Sequence, residues 1–228
     1  MNFQENNNNN SFISNVEYIL LIMNCQKYDF KRIKQKETWL NYSNICPINL
    51  YFHVIGNNNL ENNYLIDYEN NILYIKVEDD YINLPKKVIR AYEIIICNFP
   101  NIKYIFKTDD DQNLINKNYF NILINILNKK EPKVHYGGFI VDVKKNYLSK
   151  YYRIHSELPK HLPVYKTKYV NGRFYFLTKE AISHLIYNKE LIEKEFLEDY
   201  AIGYNLNEIF KSNMLFIDTN KYFIDFQY

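Results

Sequence analysis

The sequence predicts an α/β protein whose sheet is mixed and largely parallel in its first half. Apolar runs of strand length alternate with segments of helical period, the order that strand–helix–strand units impose. No internal repeat and no linker rich in Pro, Gly or Ser interrupts the chain, so a single domain is expected over residues 16–228. At 228 residues the chain is long enough for one well-buried core.

Val16 to Met23 (VEYILLIM) is an apolar run of the kind found in a strand covered on both faces. Tyr28 to Trp39 is basic, lacks strand alternation and is expected to contain a helix. Leu50 to Ile55 is a second strand, closed by the turn-forming Gly56-Asn57-Asn58-Asn59, and Ile72 to Val77 a third. From Leu84, the recurrence of Val88, Ala91 and Ile95 marks an amphipathic helix that ends around Pro100. Lys103 to Lys107 is a fourth strand, with Asp109-Asp110-Asp111 at its carboxyl end. Tyr119 to Leu127 reads as a helix, and Val134 to Val143 and Tyr169 to Leu177 as strands. Thr178 is an N-cap for a helix carrying Ile182, Leu185 and Ile186. Ile202, Leu206, Ile209 and Phe210 mark another helix, with Glu198-Asp199 at its start. Leu215 to Asp218 and Tyr222 to Phe226 are short closing strands.

Composition excludes several function classes. A formal charge of +2 gives no electrostatic case for nucleic acid or an anionic membrane. With 5 glycines there is no glycine-rich phosphate loop. Cys25, Cys46 and Cys97 fit neither a zinc spacing nor a disulfide framework, which favours a reducing, cytoplasmic compartment. No apolar run approaches the roughly 20 residues of a membrane span. Residues 1–15 are asparagine-rich, lack the pattern of a signal peptide and are expected to be a disordered leader. Heavy use of Asn, Ile, Lys and Tyr is what an AT-rich genome, viral or bacterial, produces.

Two acidic groups carry the candidate chemistry. Ligands of open α/β sheets bind beyond the carboxyl ends of the strands, where the three aspartates fall. Oxygen-only ligands suit Mg²⁺ or Mn²⁺; the same residues also read as a solvated acidic turn. Glu198-Asp199 reads either as a complement to the helix dipole or as a general base.

The segments EDDYINLPKKV and FPNIKYIFKTDDDQNLIN resemble the β-1,3-galactosyltransferases and fringe-like glycosyltransferases of family 31, with their D-x-Y-x-N-L-T-x-K and K-T-D-D-D-V-F-V-N stretches. KRIKQKETWL, YVNGRFYFLT and LEDYAIG resemble three further blocks of that family, in the family's order. The resemblance implies a GT-A fold, Rossmann-like, that binds a UDP-sugar through a divalent metal. It implies that Asp111 ligates Mn²⁺ or Mg²⁺, with Asp109 beside it at the metal and ribose and Asp110 in support. Asp199 would be the catalytic base, with Glu198 its neighbour. Asp79, Lys87, Gly172 and Arg32 would lie on the nucleotide-sugar side, while Trp39 is read as a core residue.

The implied reaction is inverting transfer of a hexose or N-acetylhexosamine to a hydroxyl of a glycan or glycoprotein, in a β-1,3 linkage. A GT-A domain that binds without turnover is the alternative. The chain departs from the family in having no histidine after Asp199, where a metal ligand is expected; Asp218, Asn220 or Asp225 are the oxygen substitutes. It also has Gly172-Arg173-Phe174 where the family has three glycines, has Val170 where the family has a lumenal cysteine, and is expected to lack the family's membrane anchor. Tyr151-Tyr152 are read as an aromatic platform for a sugar, and His155 and His161 flank a loop expected to meet the acceptor.

Overall fold

The computed structural model describes residues 13–226. The expected leader therefore lies outside the described residues except for Ile13 to Asn15, of which Ile13 packs against the core. The first strand, β1 (Tyr18–Met23), is buried along its whole length. Helix α1 (Asp29–Thr38) and the single turn α2 (Tyr42–Ile45) follow. Next come β2 (Leu50–Gly56), β3 (Tyr64–Asp67), β4 (Ile72–Ile75) and α3 (Leu84–Asn98). Then β5 (Tyr104–Asp109) leads into β6 (Gln112–Leu114), α4 (Tyr119–Lys129) and β7 (Tyr136–Val143). The chain continues through β8 (Tyr147–Leu148), β9 (Pro163–Val164), β10 (Thr167–Thr178) and α5 (Lys179–Tyr187). It closes with α6 (Lys189–Ile192), α7 (Glu198–Asn205), α8 (Glu208–Lys211), β11 (Leu215–Phe216) and β12 (Phe223–Asp225).

The main sheet has eight strands in the order β11-β7-β10-β5-β1-β2-β4-β3. Pairs β1–β2, β1–β5, β2–β4 and β11–β7 are parallel; β10 runs antiparallel to both β5 and β7, and β3 to β4. This is the mixed, mostly parallel sheet expected for a GT-A fold. Alternation along β1 divides the core in two: Ile19 and Leu21 face α3, α5 and α7, whereas Leu20 and Ile22 face Trp39, α2 and α4. On α4 the stripe Tyr119, Phe120, Leu123, Ile124 and Leu127 has the period of a one-faced helix. Among the described residues no helix is long and apolar enough to cross a membrane.

Most expected elements are present, with four differences. The third expected strand is the second arm of a β3–β4 hairpin and stops at Ile75, where Val77 N–H turns back onto the Ile75 carbonyl. The triple aspartate is followed by β6, which pairs with β12. The helix expected through Phe210 is two helices, because the Asn207 side chain accepts from Ile209 N–H and caps α8 as a new start. Finally, the register of β10 against β7 shifts between Val170 and Tyr175, a bulge that contains Gly172 and Arg173.

Helix α7 reaches the sheet only because position 203 has no side chain. A Cβ there would lie 2.2 Å from Tyr169 Cβ and 2.6 Å from Tyr169 Cα on β10. Gly203 closes the LEDYAIG segment, so that block contains both the acidic pair and the glycine that seats their helix. Gly203→Ala is expected to destabilise the fold by about 1–3 kcal/mol through overpacking, read from urea denaturation. Thr178→Ala, which removes the N-cap bond to Ala181 N–H, is expected to cost about 1 kcal/mol.

Candidate active site

The triple aspartate sits where β5 ends and the chain turns into β6, and its backbone is fixed from three sides. Gln35 Nε2 on α1 donates to the carbonyls of Asp109 (3.1 Å) and Gln112 (3.0 Å), and Trp39 Nε1 also donates to Gln112 O. Asp110 N–H donates to Met23 O at the end of β1, and Phe226 N–H to Asp111 O. The KRIKQKETWL segment thus serves the site through Gln35 and Trp39, both buried. Arg32 is not brought to the cavity: its guanidinium binds Asp29, at 2.6 and 3.1 Å. Lys31, one residue earlier, lines the cavity and pairs with Asp110 at 2.9 Å.

Beneath the aspartates lies Lys107, a lysine only 1% exposed. Its ammonium donates to Asp109 Oδ1 (2.7 Å), Gly172 O (2.9 Å) and Glu198 Oε2 (3.0 Å). Burial alone would drive a lysine toward its neutral form, but the two carboxylates outweigh it and hold Lys107 charged. Burial pushes the Asp109 carboxyl up to about 7, with Lys107 pulling against it. The other oxygen of Glu198 accepts from Tyr175 O–H, and Tyr175 O–H in turn accepts from Tyr92 O–H on α3 at 2.9 Å. Both Glu198 oxygens are therefore occupied, which makes Glu198 a support for Lys107.

Asp199, its neighbour, lines the cavity and is held by backbone. Its Oδ2 accepts from Gly172 N–H (3.1 Å) and its Oδ1 from Tyr200 N–H (2.7 Å). Burial, reinforced by the Glu198 charge, raises its carboxyl to about 6. One bulged residue, Gly172, thus gives its carbonyl to Lys107 and its N–H to Asp199. A Cβ at this position would sit 3.4 Å from Lys107 Nζ and 3.6 Å from Glu198 Oε2, so a methyl group fits but covers the charged groups.

Asp111 is joined to Asp225 by an amide. Gln112 Nε2 donates to Asp111 Oδ1 (2.7 Å) and Asp225 Oδ1 (2.8 Å), which places two cavity-lining carboxylates side by side. Of the three oxygen substitutes for the missing histidine, Asp225 alone lines the cavity; Asp218 pairs with Lys221 and Asn220 binds Arg173. Among the described residues no group of three or more His, Cys, Asp or Glu side chains is arranged to hold a metal. The donor set nonetheless fits Mg²⁺ or Mn²⁺, which use one or two carboxylates and take further oxygens from phosphates. Asp111 and Asp225 are the residues that would hold it; Asp109 is turned to Lys107 through Oδ1.

Asp79 and Lys87 line the cavity but are engaged in fixing its walls. Asp79 accepts from Gln26 N–H (2.7 Å), Gly56 N–H (3.0 Å) and Lys87 Nζ (2.8 Å), tying the loops after β1 and β2 to α3. Burial pushes Asp79 up, but Lys87 and the two backbone amides outweigh it and hold the carboxyl below its usual value. The whole cavity measures about 730 Å³. Across it, Tyr81 stacks on His155 with centroids 3.8 Å apart, and His155 lies 5.4 Å from Tyr151. Tyr81 precedes α3 and the other two rings follow β8, so the stack joins loops from opposite halves of the sheet. Of the residues read as an aromatic platform and an acceptor loop, Tyr151 and His155 line the cavity, whereas Tyr152 and His161 do not.

The residues that sequence reasoning missed are Lys107, Tyr175, Tyr92, Gln35 and the Gln112 bridge. Lys107 stood within the quoted KTDDD block, and a lysine inside an apolar strand was the available signal. Nothing local marked the others.

A galactosyltransferase family model matches residues 31–212. Similar solved structures include a glycosyltransferase involved in glycosylation of the major capsid of PBCV-1 (13% identity, 89% of this chain and 83% of that one, TM-score 0.49). A second is the galactosyltransferase LgtC in complex with donor and acceptor sugar analogues (11%, 89% and 73%, TM-score 0.49). A third is the 4-diphosphocytidyl-2C-methyl-D-erythritol synthase of Anaerococcus prevotii (13%, 90% and 88%, TM-score 0.45). No curated protein matches the chain.

Lys107→Met leaves Asp109 and Glu198 facing each other without a cation. It is expected to cost about 3–5 kcal/mol at neutral pH, with the deficit shrinking in acid as Asp109 takes up a proton. Chemical denaturation at matched pH values checks this.

Proposed function

The chain belongs to the galactosyltransferase family and is a glycosyltransferase, and we propose that it works by metal-dependent, inverting transfer from a UDP-sugar. The transferred group is a hexose or N-acetylhexosamine, and the acceptor is a hydroxyl of a glycan or glycosylated protein, giving a β-1,3 linkage. One observation carries the reading: a carboxylate fit to act as base, Asp199, and a carboxylate pair fit for a cation, Asp111 and Asp225, line one cavity. Gly172 and Lys107 stand between the base and the aspartate turn.

Direct displacement needs a proton acceptor for the attacking hydroxyl and neutralisation of the leaving diphosphate. Asp199 is the acceptor: a carboxyl near 6 is ionised at neutral pH yet more basic than an ordinary aspartate. Its two N–H donors fix the direction in which it meets the hydroxyl. A divalent cation supplies the leaving-group charge compensation when bound. Asp109, immobilised by Lys107, is the carboxylate that would face the ribose. The stacked rings of Tyr81, His155 and Tyr151 offer an apolar face to the acceptor sugar. The three free cysteines support a cytoplasmic setting, and a single catalytic domain over residues 16–228 is part of the proposal.

A binding domain without turnover is the second reading. The thin metal shell favours it, since Asp225 is shared with Arg173 at 2.8 Å.

Donor hydrolysis and calorimetric binding, run on a panel of UDP- and GDP-sugars with Mn²⁺, separate the readings. Asp111→Ala is expected to abolish metal-dependent UDP binding, and Asp199→Asn to lower turnover by at least about 100-fold with UDP binding retained. Metal-dependent binding without turnover of any donor would establish the silent domain instead. For the enzyme, kcat/KM is expected to rise with pH through about 6 as Asp199 loses its proton.

Stability should run the opposite way. Asp199 is raised from 3.8 to about 6, so the folded chain holds a proton that the unfolded chain has already released in that window. The stabilisation is full below 3.8 and is lost as pH rises through about 6. Wild type should lose about 1–3 kcal/mol relative to Asp199→Asn across this range, measured by denaturation at each pH. Gly172→Ala should melt within about 1 kcal/mol of wild type but bind donor more weakly, since its methyl covers the charged groups.

A further inference from the structure

We propose that Arg173 is a built-in cation for the donor's diphosphate, a role that rests on the glycosyltransferase reading above. Arg173 follows Gly172 in the β10 bulge, so the chain that presents Gly172 to Asp199 and Lys107 presents the next side chain toward β12. Its guanidinium is held by Nη1 donating to Asn220 Oδ1 (2.9 Å) and Phe223 O (3.4 Å), and by Nη2 donating to Asp225 Oδ1 (2.8 Å). Nε–H and the second Nη2 hydrogen have no partner among the described residues, and the side chain, 24% exposed, lines the cavity.

The position of Arg173 relative to the other cations singles it out. Lys107 is saturated by three oxygens, and Lys87 is committed to Asn24 O and Asp79. Lys31 is paired with Asp110, and Lys27 lies over the Tyr28 ring at 5.4 Å. Arg173 is the guanidinium in the hydrogen-bonded network that runs through Asp225 and Gln112 to Asp111. That network lies beside the carboxylate pair at which the proposed function puts the metal and diphosphate. A planar guanidinium matches phosphate oxygens with paired N–H donors, and one already fixed by its neighbours loses little freedom on binding. Two carboxylates give a metal a thin shell, and a fixed arginine beside them supplies positive charge that does not depend on metal loading.

Titrations of UDP, UMP and uridine, with Mn²⁺ and with EDTA, test the assignment. In EDTA, wild type is expected to bind UDP at least about tenfold more tightly than uridine, a gap worth about 1.4 kcal/mol. Arg173→Ala should erase the gap while uridine affinity and melting temperature stay, so that UDP binding becomes strictly metal-dependent. Arg173→Lys should recover part of it. If the alanine variant fails to fold, Arg173→Gln, which can still reach Asn220 and Phe223 O, should show the same loss. A gap that survives in the Ala or Gln variant, or is absent in wild type under EDTA, overturns the role of Arg173 alone. If wild type binds no nucleoside diphosphate under either condition, the donor reading itself falls, and this role falls with it.

Discussion

A single ammonium group, cut off from water beneath the sheet's carboxyl edge, organises the acidic groups above it. Lys107 takes oxygens from β5, from the β10 bulge and from the first turn of α7. The cost of desolvating this cation is recovered only while all three elements stay in place, because each partner removed leaves charge uncompensated. The hydroxyls of Tyr175 and Tyr92 extend the network to α3. The position of the base is therefore set by packing as much as by charge: Gly203 brings α7 onto β10, and α7 brings Glu198 to Lys107.

The site opposes the stability of the fold that carries it. Asp199 and Asp109 are both pushed toward protonation by burial, so each weakens the folded state at neutral pH. Perturbed carboxyls collected in one cavity are a feature of catalytic centres, and structural ion-pair networks share it. The opposing contribution comes from two cores packed on the sheet's faces and from the pinned backbone of the aspartate turn.

Periodicity made the central fold legible. The continuous burial of β1, the stripe of α3 and the Thr178 cap are each written in local sequence. The aspartate turn and LEDYAIG could be found because their residues are contiguous. What escaped depends on partners distant in sequence: β6 exists by pairing with β12, and Asp225 reaches the site through Gln112. Arg32 shows the converse. Its place in a basic segment pointed to the nucleotide, yet Asp29 three residues earlier takes its guanidinium, and the helix turns Lys31 to the cavity instead. The β3–β4 hairpin was missed because β3 is short and half exposed, and its Tyr64-Leu65-Ile66 run carries no alternation to mark a buried face.

The stack of Tyr81, His155 and Tyr151 is a latch of low strength. Aromatic contacts of this kind are worth about 0.5–1.5 kcal/mol each, and the two that cross between the loops, Tyr81 with His155 and Tyr81 with Tyr151, total about 1–3 kcal/mol. Taken alone, a stack worth about 2 kcal/mol would favour the joined loops over parted ones by roughly thirtyfold. The two loops are therefore held together across the cavity by ring faces rather than by charge.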